Sequence, residues 1–159
     1  MIGIFILTSC GGKKNANTLF TKIPSSQSHI EFTNRITETE DYNIDTYEYL
    51  YNGGGVAVAD INNDGLTDII FTGNMTQDKI YLNKGGLQFE DITTQTGFTT
   101  RSKWKTGVAI ADVNGDHLPD VYVCYSGRVP TKKEQMNCTL IQASKTVYLI
   151  LKNLRLLTD

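Results

Sequence analysis

An internal repeat constrains the fold of this chain more than any other feature. Residues 55–68 read GVAVADINNDGLTD and residues 107–120 read GVAIADVNGDHLPD, so the offset is 52 residues and nine of the fourteen positions are identical. In each copy a short run of small β-forming residues leads into an acidic turn, and a second β run follows at residues 69–72 or 121–124. Self-similarity at such a period predicts that one supersecondary unit occurs twice.

The spacing of apolar runs around the first copy predicts four short strands per repeat. Two further β-like runs follow the acidic turn, at residues 79–83 and 88–92, with a Lys-Gly-Gly turn between them. Four short strands per period are typical of a propeller blade. We therefore predict an all-β fold, an incomplete β-propeller with one complete repeat and part of a second. The unbroken apolar run at 56–59 predicts an inner strand covered on both faces.

Three tyrosines precede the first repeat at alternating positions, namely Tyr47, Tyr49 and Tyr51. Alternation predicts that they line one face of a strand. Core or interface packing is the favoured role, and a platform for stacking carbohydrate is the alternative. For Trp104, just before the second repeat, a packing role is favoured over ligand contact.

Composition excludes several classes of protein. The chain has 15 Lys and Arg against 17 Asp and Glu, a net charge of −2, which argues against a nucleic-acid partner. A hydrophobic fraction of 40% is sufficient for a packed core. The three cysteines have no zinc-site or disulfide-framework spacing, and neither His29 nor His117 lies near a plausible nucleophile. We therefore expect the chain not to be an enzyme.

The acidic turns carry the chemistry that the sequence predicts. Positions 1, 3, 5 and 9 of each turn hold side-chain oxygens, and position 7 offers a backbone carbonyl. Ca²⁺ takes about six to eight oxygen ligands in flexible geometry, which such alternating positions can supply. The predicted ligands of the first loop are Asp60, Asn62, Asp64, Leu66 and Asp68. Those of the second loop are Asp112, Asn114, Asp116, Leu118 and Asp120.

Simple turn formation by Asp, Asn and Gly is the alternative to metal binding. Against it, crowded carboxylates repel by about 1 to 4 kcal/mol per pair, and a turn does not need them. Gly65 suits the positive φ expected at position 6, whereas His117 departs from it and is expected to weaken the second site. A helix-loop-helix calcium hand is excluded, because its position 12 would be Phe71 or Val123 inside a strand. The predicted role of the cation is structural, at a strand-to-strand turn.

The N-terminal segment reads as a targeting signal. Residues 1–9 are MIGIFILTS, a run shorter than a membrane span, and the following Cys10 completes a Leu-Thr-Ser-Cys sequence. That tetrapeptide resembles a bacterial lipobox, which implies a signal peptide at 1–9, a lipid on Cys10 and a flexible tether at 10–30. The implied location is a lipid anchor in the bacterial outer membrane, on its periplasmic or cell-surface side. A short buried strand with a chance cysteine is the alternative.

The apolar run and acidic loop together resemble the FG-GAP (VCBS) repeat. Five further segments resemble lipoproteins of Bacteroidetes type, which are related to cartilage acidic protein and associated with ASPIC/UnbV domains. These segments are residues 37–41, 47–55, 71–74, 104–107 and 123–127. The resemblance assigns residues 31–127 to repeats. It implies a calcium-binding, non-catalytic propeller used for adhesion or for binding an extracellular protein or glycan. The alternative is the N-terminal fragment of a propeller enzyme, a polysaccharide lyase or a quinone-dependent dehydrogenase.

The tail at residues 128–159 does not continue the repeat. When the codons of Met136, Asn137 and Cys138 are read from the third base, they must encode Glu-Leu. The neighbouring codons permit the longer sequence Asn-Glu-Leu-Tyr-Ile-Asn, which matches the strand expected after the second loop. We therefore hypothesise a frameshift from about residue 134.

Overall fold

The protein folds into two antiparallel β-sheets with one short helical turn, in a computed structural model that describes residues 19–98, 104–125 and 137–141. The first sheet has strand order β1-β2-β3-β4 and the second has order β5-β6-β7. The predicted all-β class is confirmed. The elements are α1 (Ser25–Ser28), β1 (Val56–Ala59), β2 (Asp68–Phe71), β3 (Lys79–Asn83), β4 (Phe89–Asp91), β5 (Lys105–Ala111), β6 (Asp120–Tyr125) and β7 (Asn137–Ile141).

The repeat in the sequence is also a repeat in the structure. Ala59 pairs with Asp68 at the base of the first acidic loop, and Ala111 pairs with Asp120 at the base of the second. Both loops therefore close the same antiparallel hairpin in the same register. Residues 71 and 123 lie in strands, as the exclusion of a calcium hand required.

The third strand of the second sheet lies later than the repeat predicts. A 52-residue offset from β3 would place it at residues 131–135, whereas β7 begins at Asn137 and pairs with β6 so that Thr139 faces Val123. Most of the proposed frameshifted tail lies outside the described residues, and the frameshift remains a hypothesis.

The two sheets share one hydrophobic core. One face of the first sheet contributes Ile70, Ile80 and Leu82, and the facing side of the second contributes Val121 and Val123. The two sheets approach closely at Gly55, directly before β1: a Cβ on Gly55 would lie 2.6 Å from the Val108 nitrogen in β5. Real side-chain carbons do not approach that closely, so only glycine allows this spacing.

A buried ion pair also links the sheets. The Lys105 Nζ lies 3.4 Å from the Asp78 Oδ1, and both side chains are at most 5% exposed. The same Oδ1 accepts the Gly73 N–H at 2.8 Å. Beside the pair, the Asn74 Nδ2 donates to the Lys105 carbonyl at 2.6 Å. The loop before β3 is thereby tied to the start of β5.

The segment that precedes β1 packs on the first sheet. Phe32 stacks on Phe71 with ring centroids 4.8 Å apart, and the Glu31 N–H donates to the Tyr81 hydroxyl. Asn34 and Asn74 bond reciprocally, because the Asn34 Nδ2 donates to the Asn74 Oδ1 and the Asn74 N–H donates to the Asn34 Oδ1. These contacts fix the segment against the middle strands β2 and β3 and the loop between them.

The predicted tyrosine strand is wrong. Residues 44–51 form turns, because the Asn43 Oδ1 accepts the N–H groups of both Asp45 and Thr46 and so bends the backbone. Only Tyr47 is buried; it packs with Leu50 and Trp104 in a second, smaller cluster. The packing role predicted for Trp104 is confirmed.

The prediction that β1 is covered on both faces is also wrong. Val56 and Val58 are each 61% exposed, whereas the alternate residues face the core. Within the described residues the two sheets do not close into a propeller. In that same part of the chain, no helix has the length and apolar character needed to cross a membrane.

Candidate metal sites in the two acidic loops

The first acidic loop is folded around the carboxylate of its first residue. The Asp60 Oδ1 accepts the Asp64 N–H at 3.0 Å, and the Oδ2 accepts the Gly65 N–H at 2.8 Å. The Asp64 Oδ1 then accepts the Leu66 N–H at 2.8 Å. These short-range bonds draw positions 1 and 5 into one compact turn between β1 and β2.

A buried oxygen at position 3 of this loop has no hydrogen-bond partner. The Asn62 Nδ2 donates to the Asp64 Oδ2 at 2.8 Å, which turns the Oδ1 away into a buried position without a donor. Leaving a buried acceptor unsatisfied costs about 1–3 kcal/mol. A cation that contacts this oxygen would remove that penalty, so the residue fits its predicted role as a ligand.

Asp68 closes the loop from the first residue of β2, where it is fully buried. Its Oδ2 accepts the Ile61 N–H at 2.9 Å and its Oδ1 accepts the Asn83 N–H at 2.8 Å, which ties the loop to the end of β3. The pKa of Asp68 is raised to about 6, mainly by burial. The N–H groups of Asn83 and Ile61 lower this pKa, whereas the charges of Asp64 and Asp60 contribute to the rise. The charges of Asp64 and Asp60 therefore act on the buried Asp68 carboxyl.

The second loop repeats this arrangement in a more exposed form. The Asp112 Oδ2 accepts the His117 N–H at 2.8 Å, and the Oδ1 accepts the Gly115 N–H at 2.7 Å. The His117 N–H, followed by the other backbone donors, lowers the pKa of Asp112. The Asp116 Oδ1 accepts the Leu118 N–H at 3.0 Å, as the Asp64 carboxylate does in the first loop.

Asp120 carries the only unpartnered buried oxygen that the described residues place in the second loop. Its Oδ2 accepts the Val113 N–H at 3.1 Å, and its Oδ1 is buried without a donor. In the first loop the equivalent oxygen is satisfied by Asn83. The position equivalent to Asn83 is residue 135, which lies outside the described residues.

Both loops need a left-handed backbone at positions 4 and 6. In the first loop, φ is +60° at Asn63 and +83° at Gly65. In the second, φ is +77° at Gly115 and +65° at His117. The first loop thus has its glycine at position 6, and the second has its glycine at position 4. His117 adopts the conformation that Gly65 adopts, at the steric cost of a Cβ.

The described residues contain no group of three or more His, Cys, Asp or Glu side chains gathered as a metal site. In the first loop, backbone N–H groups donate to carboxylate oxygens of Asp60 and Asp64. An ionised carboxylate has about four acceptor positions, so one such bond per oxygen leaves it able to contact a cation. The donor chemistry of the first loop fits Ca²⁺, and its binding remains a prediction, as does that of the second loop.

Comparison with known proteins identifies the repeat. Residues 60–123 match the family model of the FG-GAP-like repeat. The chain contains an FG-GAP-like repeat. The matched range begins at Asp60 and ends in β6, so it spans both acidic loops. Neither the curated proteins nor the solved structures include a significant match to the chain.

Sequence reasoning missed the polar contacts around the FG-GAP-like repeat. The Asp78–Lys105 pair and the Asn34–Asn74 pair join residues far apart in sequence, and no local pattern announces them. Cys10, the predicted lipidation site, lies outside the described residues.

Proposed function

We propose that this chain is a non-catalytic, calcium-binding FG-GAP/VCBS module, part of an incomplete propeller. In this proposal Ca²⁺ binds the first loop through Asp60, Asn62, Asp64, the Leu66 carbonyl and Asp68. The second loop binds it more weakly through the equivalent residues. The chain's task is to present a rigid all-β surface to an extracellular protein or glycan.

The observation that carries the proposal is the buried, unpartnered Oδ1 of Asn62, whose Nδ2 donates to the Asp64 carboxylate. In a turn formed only by hydrogen bonds, a buried oxygen without a donor would lower stability and gain nothing in return. Asp68 adds to this argument, because burial beside like charges raises its pKa. A divalent cation offsets both the repulsion and the missing hydrogen bond, and supplies only structural stabilisation.

The expected effect is a calcium-dependent gain in stability. A ligand present at ten times its dissociation constant stabilises the folded state by about 1.4 kcal/mol. Thermal unfolding with CaCl₂ is therefore expected at higher temperature than with a chelator. Isothermal titration should detect two classes of site, the tighter one in the first loop.

Asp64→Ala is the decisive variant, and Asp45→Ala is its matched control. Asp64 lies inside the loop, whereas Asp45 is an exposed acidic residue in the turns before β1. We expect Asp64→Ala to abolish the tighter site and to leave the weaker one, while Asp45→Ala binds as the parent does. No calcium uptake by the parent, or equal uptake by Asp64→Ala, would refute the proposal.

The membrane anchor is a separate part of the proposal. It rests on the lipobox-like residues 7–10 and on the resemblance to Bacteroidetes-type lipoproteins associated with ASPIC/UnbV domains. Lipid on Cys10 would hold the module at the outer membrane. Metabolic labelling with an alkyne fatty acid in a bacterial host should label the parent chain and not Cys10→Ser. Equal labelling of both would remove this part and leave the calcium proposal intact.

A further inference from the structure

The sequence contains two Asn-Gly pairs, and their hydrogen bonds differ. Asn52 precedes Gly53 shortly before β1, and Asn114 precedes Gly115 in the second acidic loop. Both asparagines are exposed, and both glycines have a left-handed backbone, with φ of +81° at Gly53 and +77° at Gly115. A Cβ on either glycine would meet nothing within 4 Å, so neither pair is crowded. The two pairs are therefore matched in sequence, exposure and local backbone.

An Asn-Gly pair can lose ammonia in water without an enzyme. Hydroxide takes the proton of the glycine N–H, and the nitrogen then attacks the asparagine Cγ. The N–Cγ bond forms and the Cγ–Nδ2 bond breaks, so a cyclic succinimide remains, while the Nδ2 group takes a proton from water and leaves as ammonia. Addition of water opens the ring to aspartate or to isoaspartate, which has an additional carbon atom in its backbone. Glycine favours the attack because no Cβ hinders its nitrogen.

Hydrogen bonds hold the reacting groups of the second pair. The Gly115 N–H donates to the Asp112 Oδ1 at 2.7 Å, and the Asn114 Oδ1 accepts the Asp116 N–H at 2.8 Å. The attack would break the first of these bonds and place a developing negative charge on the nitrogen beside a carboxylate. A hydrogen bond to a charged group is strong enough to slow a step that breaks it by at least about tenfold. These contacts oppose the reaction at Asn114.

The reacting groups of the first pair lack such contacts. In the part of the chain that the structure describes, no acceptor binds the Gly53 N–H and no partner binds the Asn52 carboxamide. The Asn52 N–H donates to the Tyr49 carbonyl at 3.1 Å, and the Gly53 carbonyl accepts the Asn74 Nδ2 at 3.2 Å. Neither of these two backbone groups takes part in the reaction, so both reacting groups of this pair are available.

We infer that Asn52 is a site of spontaneous deamidation in the folded protein, whereas the hydrogen bonds of the second acidic loop protect Asn114. The site adjoins a tight junction, because a Cβ on Gly54 would lie 1.8 Å from the Thr72 carbonyl oxygen. Isoaspartate would lengthen the backbone directly before this junction, so we expect that product to melt at a lower temperature than the parent. Aspartate adds only a charge at an exposed position, and that product is expected to melt as the parent does.

Incubation of the full chain at mildly alkaline pH tests the inference. Water enriched in heavy oxygen labels each product, peptide mass spectrometry assigns it, and circular dichroism checks that the chain stays folded. We expect Asn52 to convert at least about tenfold faster than Asn114 in the folded chain. In guanidinium chloride, where the loop is lost, both are expected to convert at similar rates. The folded arm is run with a chelator and again with CaCl₂, which separates protection by hydrogen bonds from protection by a cation.

Three variants assign the difference between the two sites. Asp112→Ala removes the acceptor of the Gly115 N–H and is expected to raise the rate at Asn114 towards that at Asn52. Asn52→Gln, whose longer side chain would need a larger ring, is expected to give no product there and to leave Asn114 unchanged. Asn52→Asp is the melting reference for the isoaspartate product, because it has the charge without the additional backbone carbon.

Four results would each overturn the inference. They are equal rates at Asn52 and Asn114 in the folded chain, protection of Asn114 only with CaCl₂, an unchanged rate at Asn114 in Asp112→Ala, and an isoaspartate product that melts as Asn52→Asp does.

Discussion

The buried Asp78–Lys105 pair is predicted to be a major link between the sheets. Both side chains are at most 5% exposed, and the Nζ to Oδ1 distance is 3.4 Å. The Asp78 carboxylate has one further donor, the Gly73 N–H, and its Oδ2 has none. Lys105→Met would leave a buried carboxylate with a single hydrogen bond. Breaking a buried pair in this way costs about 3–5 kcal/mol.

A double-mutant cycle separates the pair from the side chains that form it. Asp78→Asn keeps an acceptor for the Gly73 N–H and leaves Lys105 buried without a counter-ion, so we expect a similar loss. The double variant buries no charge. Because the parent pair is incompletely hydrogen-bonded, the double variant is expected to unfold within about 2 kcal/mol of the parent. Urea unfolding, followed by tryptophan fluorescence and circular dichroism, measures all four proteins.

The same pair predicts a pH dependence with a definite sign. Burial raises the pKa of Asp78 above 3.8, while the Gly73 N–H and Lys105 oppose the rise. Because its pKa is raised, the contribution of Asp78 to stability is most favourable below 3.8 and is lost as pH rises through the folded-state value. Lys105→Met removes one of the groups that lower the pKa of Asp78. The loss of unfolding free energy in this variant, relative to the parent, is therefore expected to grow as pH rises from about 4.

Lys84→Met is the matched control, because Lys84 pairs with Glu90 at 3.7 Å while about half exposed. Exposed pairs contribute about 0–1 kcal/mol. The reasoning fails if Lys105→Met and Lys84→Met lose the same stability. It also fails if the double variant is less stable than both single variants, because removing the second buried charge should restore stability.

Two further predictions concern glycine geometry and use measured free energies of unfolding. Gly55→Ala is expected to lose about 1–3 kcal/mol, since its Cβ would overlap the backbone of β5, whereas Gly107→Ala, at the equivalent position, loses none. Equal losses would show that the sheets are not in close contact at Gly55. His117→Gly is expected to gain about 1 kcal/mol by relieving the Cβ at φ +65°, and Gly65→Ala to lose about as much at φ +83°. Because Gly65 has open space around it, a loss there reports backbone conformation alone, and a neutral result would contradict the assigned loop geometry.

Local pattern was sufficient for the strands and the loops. The alternation of small apolar residues, acidic turn and second apolar run predicted β1 and β2 as one hairpin and β5 and β6 as another. Turn residues such as Asp60 act on backbone groups four and five positions away, so their effect is readable from neighbours in sequence. The positive φ predicted at position 6 occurs in both loops, even where His117 occupies it.

Local pattern failed where distant contacts or a single polar side chain redirected the backbone. The alternating Tyr47, Tyr49 and Tyr51 resembled a strand, but Asn43 bends this segment into turns, and Tyr47 packs against Trp104. The apolar run of β1 predicted burial on both faces. Exposure of Val56 and Val58 depends on what lies beside the sheet, which a strand's own sequence cannot encode.

The amino-acid sequence by itself determined the repeat, its strand hairpins and the oxygen-rich loops, because these depend on side chains within a few positions of one another. Only the tertiary structure decided which sheet face is buried, why Gly55 must be glycine, and that Asp78 meets Lys105. It also decided that Asn62 keeps a buried oxygen without a donor. The physical reason is that burial and close approach are properties of surfaces brought together by folding, not of any segment alone.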